Sequence, residues 1–73
     1  MQIIEMNRSG DERTVFDTAD SEQVELAMEH FNALIGRGLF ASVPSGDGHS
    51  GRAIKEFDPE AETIIFRTQY AGG

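Results

Sequence analysis

The sequence predicts an α+β domain in which one helix packs against a mixed β-sheet. Two observations favour this class. Only residues 21–36 space their apolar side chains as a helix does, and the flanking stretches are short apolar or β-branched runs separated by turn residues. The predicted order is strand, strand, helix, strand, strand, strand (ββαβββ). No repeat or linker interrupts the 73 residues, so we expect a single domain over 1–73.

The first two strands form a predicted hairpin. Residues 2–8 contain two isoleucines and a methionine and indicate a strand. Residues 9–11, Ser-Gly-Asp, are typical of a turn, and the β-branched and aromatic run at 13–16 indicates the returning strand.

The helix at 21–36 has clear start and stop signals. Asp20 is a favourable N-cap residue, and Gln23 occupies the position where a capping box places Glu or Gln. Gly36 and Gly38 follow the last apolar residue, and either can adopt the left-handed conformation that ends a helix. The side chains predicted to face the sheet are Val24, Met28, Phe31 and Ile35, with Ala27 and Leu34 widening the same stripe.

Three more strands are predicted after the helix. Residues 39–43 form a short strand, which is followed by a loop at 45–51 with three glycines. Residues 52–57 alternate in polarity and predict a strand, and Asp-Pro-Glu-Ala at 58–61 predicts a turn. Residues 63–68 are the most apolar run, so we expect the buried central strand there.

A hairpin followed by a helix that crosses over to further strands is the β-grasp arrangement. The rules for right-handed crossovers allow the final strand to lie beside the first strand and parallel to it. The apolar stripe of the helix then covers one face of a mixed sheet. A plain α+β sandwich with the same elements in another strand order fits the pattern as well.

The composition limits the classes of function. Thirteen acidic residues against six basic ones give a net charge of −7, which disfavours binding to a phosphate backbone, so no nucleic-acid partner is expected. The acidity favours a basic partner surface or serves solubility alone. A domain this small without cysteine is expected in the cytoplasm. Residues 1–5 do not open a signal peptide, and no apolar run is long enough to span a membrane.

The end of the chain carries a recognisable pattern. An acidic turn at 58–62, apolar strand residues 64–66 and a short spacer precede Ala71, Gly72 and Gly73, and the chain opens with Met-Gln-Ile as ubiquitin does. Together with the order of elements, this pattern resembles the ubiquitin-like and sulfur-carrier β-grasp superfamily, which includes bacterial ubiquitin-like modifiers ending in Gly-Gly. Bacterial sulfur carriers of molybdopterin and thiamine synthesis end similarly, but they often have a proline pair where this chain has Thr-Gln-Tyr.

The resemblance implies that the C-terminus is the functional group of the protein. Gly72 and Gly73 then form the site of activation and attachment, Tyr70 and Ala71 are recognised with the tail, and 69–73 is flexible. A carboxylate is inert until it is activated, for example as an acyl-adenylate. Residues without a Cβ allow the backbone to enter a narrow channel and leave the carbonyl open to attack. Taken alone, terminal glycines are more typical of a frayed chain end, and the functional interpretation is favoured only together with the β-grasp order of elements.

Three functions follow as hypotheses. In the first, the chain is a protein modifier that is transferred from the adenylate to a thiol and then to a target amine. In the second, it is a sulfur carrier whose adenylate becomes a thiocarboxylate. In the third, it is a non-conjugated acidic adaptor or inhibitor that acts by binding alone. For the first two, the resemblance implies an ATP-dependent adenylating enzyme that holds the ATP and Mg²⁺. A conjugating enzyme and a deconjugating metalloprotease are further partners of a modifier. The chain itself is expected to bind no cofactor.

The sequence does not favour an enzyme. Asp47 and His49 in the glycine-rich loop are too few for a metal shell, so no metal site is predicted. His30 lies on the predicted helix and is expected at the edge of the core. The serines have no histidine and acid partners in a pattern typical of a catalytic triad.

Two further candidates concern conjugation and binding. Lys55 is the only lysine, so Lys55 and the Met1 amine are the candidate acceptors if the protein is conjugated to itself. The default interpretation of Lys55 is an ordinary solvent-facing residue on an alternating strand. Phe40 and Ile65 are candidates for a partner-binding patch on an open face of the sheet, or else core residues, because the pattern does not fix the strand registers.

Overall fold

The computed structural model describes residues 1–7, 9–44 and 51–68. The predicted order of two strands, one helix and three strands is confirmed. The elements are β1 (Gln2–Asn7), β2 (Gly10–Val15), α1 (Ser21–Gly36), β3 (Phe40–Val43), β4 (Arg52–Ile54) and β5 (Thr63–Arg67).

The five strands form one mixed sheet in the order β2-β1-β5-β3-β4. β1 pairs antiparallel with β2 and parallel with β5, and β3 pairs antiparallel with both β5 and β4. The α+β class, with one helix packed on a mixed sheet, is therefore confirmed. The predictions that the last strand is central and lies parallel to the first are also confirmed.

Two strand boundaries differ from the predictions by three residues, whereas the end of β2, the start of β3 and the end of β5 each differ by one residue. β2 begins at Gly10, before the predicted run, because its backbone pairs with β1 along its whole length although its side chains are exposed. β4 ends at Ile54 instead of continuing to Phe57. The Phe57 ring packs on the ring of Phe31, with 5.7 Å between their centroids, just before the turn in which the Ala61 amide donates to the Asp58 carbonyl.

The helix begins where its cap predicts. The Asp20 carboxylate accepts a hydrogen bond of 3.0 Å from the Glu22 amide, which satisfies one of the free amides of the first turn. The predicted capping box is wrong, because Gln23 accepts from the Asp17 amide at 3.4 Å and not from Asp20. α1 has 16 residues, and no helix within the described ranges is both long and apolar enough to cross a membrane.

Gly38, and not Gly36, ends the helix in the left-handed region, with φ +90. The Gly38 amide donates to the Ile35 carbonyl at 2.9 Å, and the Leu39 amide donates to the Leu34 carbonyl at 3.2 Å. These two bonds form a Schellman motif, which satisfies carbonyls that the helix leaves free and turns the chain into β3.

The core lies between α1 and one face of the sheet. Phe31 of the helix is fully buried and meets Phe66 of β5 edge to face, with 5.2 Å between the ring centroids. The largest fully buried side chains are Ile3, Phe31, Leu34, Ile64 and Phe66.

The buried stripe of α1 is centred on Ala27, Phe31 and Leu34. Of the predicted stripe, Phe31 is buried and Val24 and Ile35 are half-buried, but the prediction for Met28 is wrong because its side chain is 41% exposed. The helix approaches the sheet through the small Ala27, which turns Met28 towards the edge of the core. There Met28 lines an open groove along residues 55–59.

Candidate functional site

β5 is the last strand along the chain, and it ends at Arg67. β5 lies between β1 and β3, and its final residue, Arg67, pairs with Met6 on one side and Phe40 on the other. Both neighbours therefore hold the C-terminal end of β5 in the sheet. The predicted tail residues lie outside the described residues: Tyr70, Ala71, Gly72 and Gly73.

The face of the sheet opposite α1 carries the second candidate site. Residues paired across neighbouring strands lie on the same face. Ile3, Ala41 and Ile64 belong to the core beneath the helix, so the alternate residues point the other way. The open face therefore comprises Gln2, Ile4 and Met6 of β1, Asp11, Arg13 and Val15 of β2, Phe40 and Ser42 of β3, Ala53 of β4, and Thr63, Ile65 and Arg67 of β5.

Phe40 and Ile65 both lie on this open face, and neither belongs to the core. Ile65 pairs with Ser42, two positions along β3 from Phe40, so the two apolar side chains are diagonal neighbours. Phe40 is 56% exposed, and Ile65 is half-buried. With the half-buried Ile4 and Met6 they form what we call the open-face patch.

Charge differs between the two sides of the domain. Arg13 pairs with Ile4, and Met6 lies between Arg67 and Asp11, so two cations and one carboxylate flank the open-face patch. The helix on the other side carries three glutamates and neither lysine nor arginine over 21–36. The basic partner expected from the net charge therefore suits the helix side, whereas the open face suits a partner with carboxylates.

An apolar cleft of about 480 Å³ lies where β3 begins and β4 ends, beside the C-terminal end of α1. Among the described residues, Lys55 is the only charged residue that lines it. Phe40 belongs to both the cleft and the open-face patch. The apolar lining residues are Ile35, Leu39, Phe40, Ala41, Ala53 and Ile54.

The two candidate acceptor amines differ in accessibility. Lys55 is exposed and follows the end of β4, so its predicted position within a strand is wrong. The Met1 amine is part-buried and donates a hydrogen bond of 2.9 Å to the Phe16 carbonyl. Lys55 is therefore the more accessible candidate.

The remaining chemical candidates are His30, Asp47 and His49. His30 is half-buried with its ring 6.0 Å from that of Phe16, which confirms its position at the edge of the core. Asp47 and His49 lie outside the described residues. Within residues 1–7, 9–44 and 51–68, no three histidine, aspartate or glutamate side chains are grouped to hold a metal ion.

Sequence reasoning missed the flanking residues Ile4, Met6, Arg13 and Arg67. The alternation of residues along β1 and β5 shows which residues of each strand share a face. It identifies these four residues as neighbours only when the register is known, because the register pairs Ile4 with Ile65. The cleft was also missed. Its lining comes from the helix end and from two strands, so no local pattern predicts it.

Comparison of the chain with models of protein families, with curated proteins and with solved structures finds no match.

Proposed function

We propose that this chain is a ubiquitin-like modifier or carrier with a β-grasp fold, activated at its C-terminal Gly73. The observation that carries the proposal is the position of β5. It is the central strand, parallel to β1, and the sequence runs from its end to Gly72 and Gly73 within a few residues. The hairpin, crossover helix and strand order β2-β1-β5-β3-β4 are compatible with a β-grasp, and such a domain would present its terminus to another enzyme.

The proposed chemistry begins at the Gly73 carboxylate. One of its oxygens attacks the α-phosphate of ATP held with Mg²⁺ on an adenylating enzyme, and pyrophosphate leaves. A thiolate on the activating or conjugating enzyme then attacks the Gly73 carbonyl, and AMP leaves, which gives a thioester. Attack by a target amine forms the amide bond and breaks the thioester bond, and the proton that the amine loses passes to the departing thiolate. A deconjugating metalloprotease would reverse the step by hydrolysis.

A sulfur carrier is the close variant. Hydrosulfide would attack the same acyl-adenylate, so that AMP leaves, a proton is released and Gly73 ends in a thiocarboxylate. Both variants use the absence of side chains at Gly72 and Gly73, because a Cβ near the carbonyl would hinder entry to a narrow channel and the approach of the nucleophile.

A non-conjugated adaptor is the second candidate, and the exposed Phe40 favours it. A large aromatic side chain that is more than half exposed, beside the apolar side chains of Ile4, Met6 and Ile65, is typical of a protein-binding surface. Such a protein would act through its open-face patch without any change at Gly73.

Intact-mass measurement distinguishes these functions. The full chain incubated with its cognate adenylating enzyme, ATP and Mg²⁺ should release pyrophosphate and gain the mass of an adenylate, a thiocarboxylate or a covalent target. Deleting Gly73 should abolish the gain, and a bulky residue at Gly72 should impair transfer, with the fold unchanged in both variants. Gly36→Ala is the matched glycine control and should react normally.

The acceptor is tested in the same assay. Lys55→Arg should remove any self-conjugation through Lys55 but leave the adenylate intact, because the substitution keeps the charge and removes the nucleophile. A wild-type chain that gains no mass with its cognate enzyme contradicts the modifier and the carrier, and leaves the adaptor.

A further inference from the structure

The apolar cleft combines the features of a binding site. Its volume of about 480 Å³ lies within the range of pockets that hold small ligands or an anchoring side chain. The buried Leu39 and Ala41 form part of its wall, and the exposed Phe40 stands at its rim. An apolar group placed there would remove Phe40 from water, which is favourable in proportion to the apolar area covered.

The charge around the cleft indicates the chemistry of an occupant. Lys55 lines it, and Arg67 is the register partner of Phe40. Neither takes part in an ion pair between described residues, whereas Arg37 is paired with Glu5 and Arg52 with Asp58. One exposed cation, Lys55, therefore lines the cleft, and a second, Arg67, lies on the strand next to the rim residue Phe40, in a chain of net charge −7. Carboxylates on a partner would be attracted to this side and repelled by the glutamates of the helix side.

We propose that this cleft binds a segment of a partner protein that presents one bulky apolar side chain flanked by carboxylates. The apolar side chain would occupy the cleft against Phe40 and Ile54. The carboxylates would lie towards Lys55 and Arg67, away from the C-terminal end of α1, where the helix dipole disfavours negative charge. The proposal does not depend on chemistry at Gly73.

A second copy of the chain is a weaker occupant. Its helix does present Leu26, which is 50% exposed, next to Glu22, Glu25 and Glu29. However, two copies of net charge −7 repel each other, and a helix-to-cleft contact would be heterologous and would not close into a dimer.

The proposal can be tested by NMR titration of the labelled full chain with a blocked pentapeptide that has a central leucine between two pairs of glutamates. Amide shifts should cluster at Leu39, Phe40, Ile54 and Lys55. A peptide with central alanine and a peptide with lysines in place of the glutamates should each bind at least about tenfold more weakly.

Matched variants show whether the binding is local. Lys55→Glu and Phe40→Ser should each weaken binding at least about tenfold, with unchanged amide spectra away from the cleft. Arg13→Glu makes the same charge change on the distant strand β2 and should have a much smaller effect. Three outcomes would overturn the proposal: shifts that map elsewhere, equal losses from Lys55→Glu and Arg13→Glu, or cleft shifts that change with protein concentration without peptide, which would indicate a second copy.

Discussion

The two faces of the sheet are built from alternate residues of the same strands, yet they differ in what they contact. On β5, Ile64 and Phe66 are fully buried beneath α1, whereas Ile65 between them is half-buried on the open face. On β3, Ala41 is buried and Phe40 is exposed. Substitutions on the covered face should therefore lower stability, whereas substitutions on the open face should mainly affect binding.

The largest effect is expected at the centre of the covered face. Phe31→Ala should lower the free energy of unfolding by ~3–5 kcal/mol, because the ring is fully buried against Phe57 and Phe66. Leu26→Ala, at a half-exposed position on the same helix, is the control and should cost within about 0.5 kcal/mol. Urea unfolding followed by far-UV circular dichroism measures both. Similar losses at the two positions would contradict the packing described here.

A sharper test compares neighbours on one strand. Ile64→Ala should destabilise by ~2–5 kcal/mol, and Ile65→Ala by about 1 kcal/mol or less. Both variants lose the same strand propensity, so the difference between them isolates burial beneath α1. Chemical unfolding under identical conditions measures the difference. A larger loss of stability for Ile65→Ala than for Ile64→Ala would contradict the assignment of Ile64 to the core face.

The smallest effects concern the end of the helix that covers the sheet. Gly38→Ala should cost roughly 1–2 kcal/mol, because its φ of +90 is unfavourable for a residue with a Cβ. Gly36→Ala, inside the last turn and with open space around a Cβ, should stabilise by about 0.5–1 kcal/mol. Thermal unfolding should therefore shift in opposite directions for the two variants. A shift in the same direction would contradict the assignment of Gly38 as the residue that ends α1.

The helix was predictable because local chemistry marks both of its ends. Asp20 supplies an acceptor to a free amide, and Gly38 supplies the left-handed conformation, so 21–36 follows from residues near each boundary. The central position of β5 was predictable because 63–68 is the most apolar run of the sequence, as expected for a strand that has a neighbour at each edge.

Tertiary packing decided the predictions that failed. Met28 has the spacing and hydrophobicity of a core residue, but the close approach at Ala27 rotates the buried stripe away from it. The start of β2 at Gly10 was not predicted, because the first residues of this strand have no apolar side chains and pair with β1 through their backbone alone. The open-face patch depends on register, which one strand alone does not specify.

The parallel pairing of β1 with β5 has a consequence for how the protein is made. β1 leaves the ribosome first, but its partner at 63–67 is the last strand to be synthesised. Until then the nascent chain can form the hairpin and turns of α1, but Ile3 and Phe31 lack the apolar surface of Ile64 and Phe66. Because contacts between distant parts of a chain form slowly and expose apolar groups meanwhile, we expect the domain to fold in one late step, and nascent chains truncated before residue 63 to remain open to chaperones and proteases.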